Sequence, residues 1–249
     1  MPVSNDRLAS EAAAFRREAA REFDRVVRAL LDLVWARRRP SGDFRFTDDA
    51  ELDAEANELL RGLSDTLAAK AKARAEAIIR DSLADYDFGE EWDEDWEPAD
   101  EEDGTPLLWR FDMEGSHLRD LLEIWIALAI TNGIAKSELR VLISRYINNP
   151  YASPLWAGVP KGALAWGRGY SKNILEQMTV LGQNAITMAA RRAEQRDERS
   201  RGATYYIRRR GSNYECGTCD DLCGYPIPIE EPFEIPHSRC MCWPEYHYD

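Results

Sequence analysis

All five cysteines of this 249-residue chain lie in its last thirty-four positions, with a histidine among them. They run Cys216, Cys219, Cys223, His237, Cys240, Cys242, in the spacing C-x2-C-x3-C-x13-H-x2-C-x-C. Packing alone scatters cysteines among the elements they fill. Two close groups of sulfur and imidazole donors flanking one loop are what a tetrahedral ion requires, each group chelating from a tight turn. Zinc takes both donor types, and a bound ion can order a segment too short to have a core of its own. The candidate ligands are Cys216, Cys219, His237, Cys240 and Cys242, with zinc in a structural role.

Two other chemistries compete. A disulfide framework leaves one of five thiols over. The chain also lacks the apolar N-terminal stretch that would send it to an oxidising compartment, so synthesis in the cytoplasm is expected. Catalytic thiol chemistry needs a base and an orienting group beside one particular cysteine, and the sequence singles none out. Metal binding is the reading adopted.

This tail resembles the C-terminal motif of the phage head morphogenesis proteins, the Mu F-like minor head proteins of tailed bacteriophages. That family closes on a C-x2-C pair, an acidic-Gly turn, a Pro-rich stretch and H-P-x-C-x-C. Here the pair is Cys216-Gly217-Thr218-Cys219 and the turn Asp220-Asp221-Leu222-Cys223-Gly224. The Pro-rich stretch runs from Tyr225 through Pro232, and the close is Pro236-His237-Ser238-Arg239-Cys240-Met241-Cys242. Ser238 stands where the family has proline, and Cys223 where its turn carries an acid, which makes Cys223 the odd cysteine and its replacement by serine nearly silent. The resemblance covers about forty residues. It implies a structural protein of the procapsid, present in few copies near the portal. Its partners would be portal and capsid proteins, with packaged DNA as a further contact. Its place would be the capsid interior or portal vertex of the virion, and the host cytoplasm during assembly.

Enzyme signatures are missing: there is no H-E-x-x-H, G-x-S-x-G, P-loop or Rossmann fingerprint. A catalytic zinc needs an open position beside a general base, and Glu230, Glu231 and Glu234 do lie in the loop. A site rich in Cys and His is usually closed and structural, so no enzyme is expected. Arginine offers a different function. Residues 191–210 hold eight arginines (Arg191, Arg192, Arg196, Arg199, Arg201, Arg208, Arg209 and Arg210) against three acids. Such a run can bind phosphates, which makes a zinc-containing nucleic-acid-binding protein the alternative function and a metal-dependent nuclease or toxin a weaker one. The bland reading is a helix end whose charges pair with their neighbours.

The elements that must carry this tail read as helices. The net charge of −13 is concentrated: residues 85–103 hold twelve acids and no base, leaving the rest of the chain at −1. No run of eighteen apolar residues occurs, so no membrane partner is expected. Leu8, Ala12, Phe15, Ala19, Phe23, Val26, Leu30 and Val34 recur at helical steps, with Ser4 or Asn5 to cap and Pro40 to stop. Asp48 and Glu51 make a capping pair for a second helix carrying Leu52, Ala56, Leu59, Leu63, Leu67, Ala71, Arg74 and Ile78. The two form a hairpin over residues 1–84, whose stripe could also serve as a docking surface.

An acidic insertion with Trp92 and Trp96 fills 85–105, where like charges resist a compact helix. A helical body occupies 106–200. Its helix from Ser116 to Asn132 is apolar nearly all round and is expected at the centre of a bundle, with Gly133 as its stop. A helix at 135–148 follows, then a Gly, Pro and Trp-rich link containing Trp156 and Trp166. The last helix, 171–200, turns polar halfway. Residues 201–249 make the Cys/His module, entered by a strand at Thr204–Arg208. The fold expected is mainly α: a long helical hairpin and bundle followed by a small zinc-stabilised β-hairpin module.

Overall fold

The computed structural model describes residues 3–37, 44–83, 86, 88, 107–148, 174–211, 216–234 and 242–248. Trp92 and Trp96 of the acidic insertion, Trp156 and Trp166 of the link, and both His237 and Cys240 lie outside them. Among the described residues the chain is mostly helical, with a small three-stranded sheet near its C-terminus. Helices α1 (Asn5–Arg37), α2 (Ala50–Ser82), α3 (Leu107–Thr131), α4 (Lys136–Asn148) and α5 (Ile174–Ser200) precede strand β1 (Tyr205–Arg209). The short helix α6 (Gly217–Leu222) and strands β2 (Pro226–Pro228) and β3 (Trp243–His247) complete it. Among the described residues no helix is long and apolar enough to cross a membrane.

The compact units are not consecutive segments. One comprises Met1–Phe15, Ala68–Leu107 and Val180–Asp249, the other Arg16–Leu67 and Leu108–Thr179. In the first, Arg7 pairs with Asp81 at 2.6 Å and Arg74 pairs with Glu11, setting the start of α1 beside the end of α2. In the second, Arg37 pairs with Glu55, setting the end of α1 beside the start of α2. Both contacts make α1 and α2 antiparallel, as a hairpin requires. The apolar stripe of α1 is buried at Leu8, Phe15, Ala19, Phe23, Val26, Leu30 and Val34.

The caps differ in detail from the expectation. Ser4 Oγ accepts from the Arg7 amide at 3.2 Å, as an N-cap should. For α2 the cap is Asp49, whose Oδ1 accepts from the Glu51 and Leu52 amides, each at 3.1 Å. Asp48 instead accepts from the Arg45 amide, across the 3-10 turn Phe46–Asp48. The α2 stripe likewise shifts by one residue at two points. Leu60 and Ala75 are buried there, while Leu59 is half-buried and Arg74 lies at the flank, reaching Glu11.

Helix α3 begins nine residues earlier than expected, at Leu107. It ends in a Schellman motif: Gly133 takes φ 67°, its amide donates to Ile130 O at 3.2 Å, and the Ile134 amide donates to Ala129 O at 2.8 Å. Its apolar girdle is not wholly covered, since Ile124 is 38 % exposed. The most enclosed helix is α5. Buried positions continue through its polar half, where Arg191, Glu194 and Gln195 are all within 5 % of full burial.

Two glycines on helices behave oppositely. An ideal Cβ on Gly182 of α5 would overlap the ring of Phe15, which is fully buried. A Cβ on Gly62 of α2 would meet nothing within 4 Å. Alanine gains about 1 kcal/mol of helix propensity at either position, but overpacking costs about 1–3 kcal/mol or more. Gly62→Ala is therefore expected to raise the urea midpoint and Gly182→Ala to lower it. Equal shifts would mean that α1 and α5 do not approach through Gly182.

Candidate metal centre

The C-terminal module is a three-stranded antiparallel sheet in the spatial order β2-β1-β3, with Tyr206 opposite both Ile227 and Tyr246. It is not the simple hairpin expected, because α6 is inserted between β1 and β2. β1 is also one residue out of the expected register, running Tyr205–Arg209. The core of the sheet is small: Ala203, Tyr206, Ile229 and Phe233, flanked by Ile227 and Tyr246. Strands of five, three and five residues cannot bury much more.

Neighbouring polar groups complete it. Gln195 of α5 donates to Ile229 O at 2.7 Å and to Glu231 O at 2.6 Å, and accepts from the Phe233 amide at 2.8 Å. One buried amide thus satisfies three backbone groups of the loop after β2. Substituting leucine would bury those groups without partners, and each such loss costs about 1–3 kcal/mol. Gln195→Leu is expected to destabilise the module by about 2–4 kcal/mol and to strip hydrogen-exchange protection from the Phe233 amide. Persistent protection there would disprove the role.

The cysteines form a second cluster. Cys219 and Cys242 are buried, and Cys216 and Cys223 pack against them. Local structure explains how three of the four meet. Cys216 is the N-cap of α6, Cys219 lies in its first turn and Cys223 is its C-cap. Offsets of three and seven residues fall on one helical face. The Cys216 side chain makes no capping hydrogen bond, and its extended backbone (φ −146°, ψ 102°) bends the chain into the helix. The Cys223 amide donates to Cys219 O at 3.0 Å. Gly224, at φ 92°, then donates to Arg208 O at 3.0 Å and returns the chain to β1. Arg210 pairs with Asp220, tying α6 to the end of the same strand. Cys242 arrives from the other side, immediately before β3.

The sulfurs of Cys219 and Cys242 lie 3.5 Å apart, and those of Cys242 and Cys223 lie 3.9 Å apart. None of the four belongs to a disulfide, whose bond would be about 2.05 Å. A zinc–sulfur bond of about 2.3 Å sets the edge of a regular thiolate tetrahedron at about 3.8 Å. The observed separations bracket that edge and also suit close thiol contacts. Among the described residues, no three Cys, His, Asp or Glu groups are yet gathered round one point as a bound ion would hold them. The sulfurs form a chain, Cys219 to Cys242 to Cys223. Cys223, set aside on the family pattern, thus sits inside the cluster. The signal in the sequence was its helical spacing from Cys216 and Cys219.

Six of the eight arginines in the run have structural contacts. Arg191 and Glu194 form a buried pair at 2.8 Å. Arg192 lies 3.7 Å from Glu234, and Arg201 lies 2.8 Å from Asp197 and 3.6 Å from Glu198. Arg208 is buried, its guanidinium 5.0 Å from the centre of the Phe233 ring. Arg209 pairs with Glu245. The hydrogen bond from Arg209 holds the Glu245 carboxyl below its ordinary range, a surface effect worth little stability. Elsewhere, His117 lies ten residues into α3 rather than at its start, 3.4 Å from Glu114 on the same helix. Comparison with models of protein families, with curated proteins and with solved structures finds no match to this chain.

Proposed function

We propose that this chain is a minor head protein of a tailed bacteriophage, acting in procapsid assembly at or near the portal. Its work is assembly rather than catalysis. In this reading the helical body packs on portal or capsid subunits, and a structural zinc ion fixes the C-terminal module for partner contact. The observation that carries the reading is the gathering of Cys216, Cys219, Cys223 and Cys242 beside a sheet with four buried core residues among those described. A module of that size gains its fixed shape from an ion more readily than from its core. What supports zinc is that the residues are soft donors packed in one cluster, two of whose sulfur separations lie near the edge of a thiolate tetrahedron. The step from zinc module to phage head rests on the likeness of the tail to the head-morphogenesis motif. The same reading puts the protein in the virion.

The rival reading, nucleic-acid binding through Arg191 to Arg210, draws little support from arginines already paired with acids or buried. The deciding experiment is co-expression with the portal and major capsid proteins of a tailed bacteriophage. The chain is expected to sediment with portal rings or procapsids. Sedimentation as a lone species, together with salt-dependent retention on DNA, would reverse the choice.

A further inference from the structure

We propose that Cys223 is a metal ligand, completing a four-thiolate site with Cys216, Cys219 and Cys242. This deepens the zinc-module reading and rests on it. The likeness to the head-morphogenesis motif assigns Cys223 no role and points to His237 and Cys240 instead. Geometry favours Cys223. Its sulfur is 3.9 Å from that of Cys242, which in turn is 3.5 Å from that of Cys219, and Cys216 packs on the same cluster. The helix α6 and its two caps supply three of the donors, and the capping pair, Cys216 and Cys223, packs against the buried Cys219 and Cys242. Hydrogen bonds at both ends of that turn hold the arrangement: Asp220 amide to Cys216 O at 2.9 Å, and Gly224 amide to Arg208 O at 3.0 Å. Four sulfurs fill the coordination of a tetrahedral ion. The result is a closed site, selective for soft-accepting cations and without an open position for substrate or water.

Ligation and packing make different predictions. A cysteine that only packs can be replaced by a residue of similar size, whereas a ligand needs a donor atom. The test is cobalt(II) bound to the full-length reduced protein, read through the near-ultraviolet sulfur-to-cobalt absorption, which grows with the number of thiolates. Wild type is expected to show the four-thiolate spectrum. Cys223→Ser is expected to lose about a quarter of that intensity and to bind more weakly. Cys223→His should recover affinity, with the visible bands moved to higher energy by the nitrogen donor. His237→Ala should leave the spectrum unchanged. An unchanged spectrum in Cys223→Ser, with wild type binding normally, would refute the assignment yet leave the zinc module standing. Absence of any sulfur-to-cobalt band in wild type would remove both.

Discussion

Replacement of Cys219 by serine is expected to release the ion and unfold the sheet while leaving the long helices formed. Cys219 is the most enclosed of the four sulfur residues, at 4 % exposure, and it contacts Cys242 directly. Structural zinc contributes about 10–16 kcal/mol to modules that cannot fold without it. The core of Ala203, Tyr206, Ile229 and Phe233 is far too small to offset such a loss. Hydrogen exchange of the reduced protein should therefore show protection collapsing across Tyr205–Arg209, Pro226–Pro228 and Trp243–His247. Helices α1 and α2 should keep theirs. Chelation of the wild type should reproduce the pattern. A protected sheet in Cys219→Ser, or after chelation, would mean that the cysteines are simply a small apolar cluster, a role thiols fill well.

The second large effect is expected at Arg191 and Glu194. This pair is almost completely enclosed, with side chains 2 % and 1 % exposed. It also anchors the start of the chain: Arg191 donates to Val3 O at 2.7 Å and to Asn5 Oδ1 at 2.6 Å, while Glu194 accepts from the Val3 amide at 3.1 Å. Removing one partner strands the other charge in a dry site, at a cost of about 3–5 kcal/mol. The two removals should not be equal. A carboxyl can neutralise itself by taking up a proton, whereas a guanidinium cannot. Glu194→Leu should thus be the more damaging variant near neutral pH.

Arg191→Met should be damaging in a pH-dependent way. Burial already raises the Glu194 carboxyl above its ordinary 4.5, with the Arg191 charge working in the opposite direction. Without Arg191 it rises further. A carboxyl raised on folding contributes stability that is complete below its unfolded pKa and is lost as pH climbs through the folded value. Arg191→Met should accordingly regain stability relative to wild type as pH falls from neutral towards 4.5. A constant difference between the two across that range would show that Glu194 is not buried as a charge. The double variant Arg191→Met with Glu194→Leu should cost much less than either single change predicts, because no charge is stranded.

The helices were legible because their signals are local. The stripe from Leu8 to Val34, the serine before it and the glycine after α3 each act within a turn or two. Where two caps compete, as with Asp48 and Asp49, a shift of one residue depends on whether a 3-10 turn precedes the helix, and composition does not settle that. Burial of α5 was hidden for another reason. Arg191, Glu194 and Gln195 read as a solvated face, yet they are enclosed because each meets a partner far along the chain, at Val3, Asn5, Ile229 or Phe233. The same holds for the arginine run, whose acids include Glu234 and Glu245. In the tail, the clustering of cysteines was plain from spacing, but the helix that aligns Cys216, Cys219 and Cys223 was not. Six residues with glycine, threonine and two aspartates look like a turn, and among the described residues it is the return of Cys242 that gives that face something to meet.

The proposed role of the C-terminal module rests on an ion held by its sulfurs. The most direct measurement is the metal content of full-length protein purified under reducing conditions, by elemental analysis with a parallel thiol titration. About one zinc per chain is expected, with four thiols that become reactive only after chelation. No stoichiometric transition metal, and all five cysteines reacting at once without chelator, would contradict it.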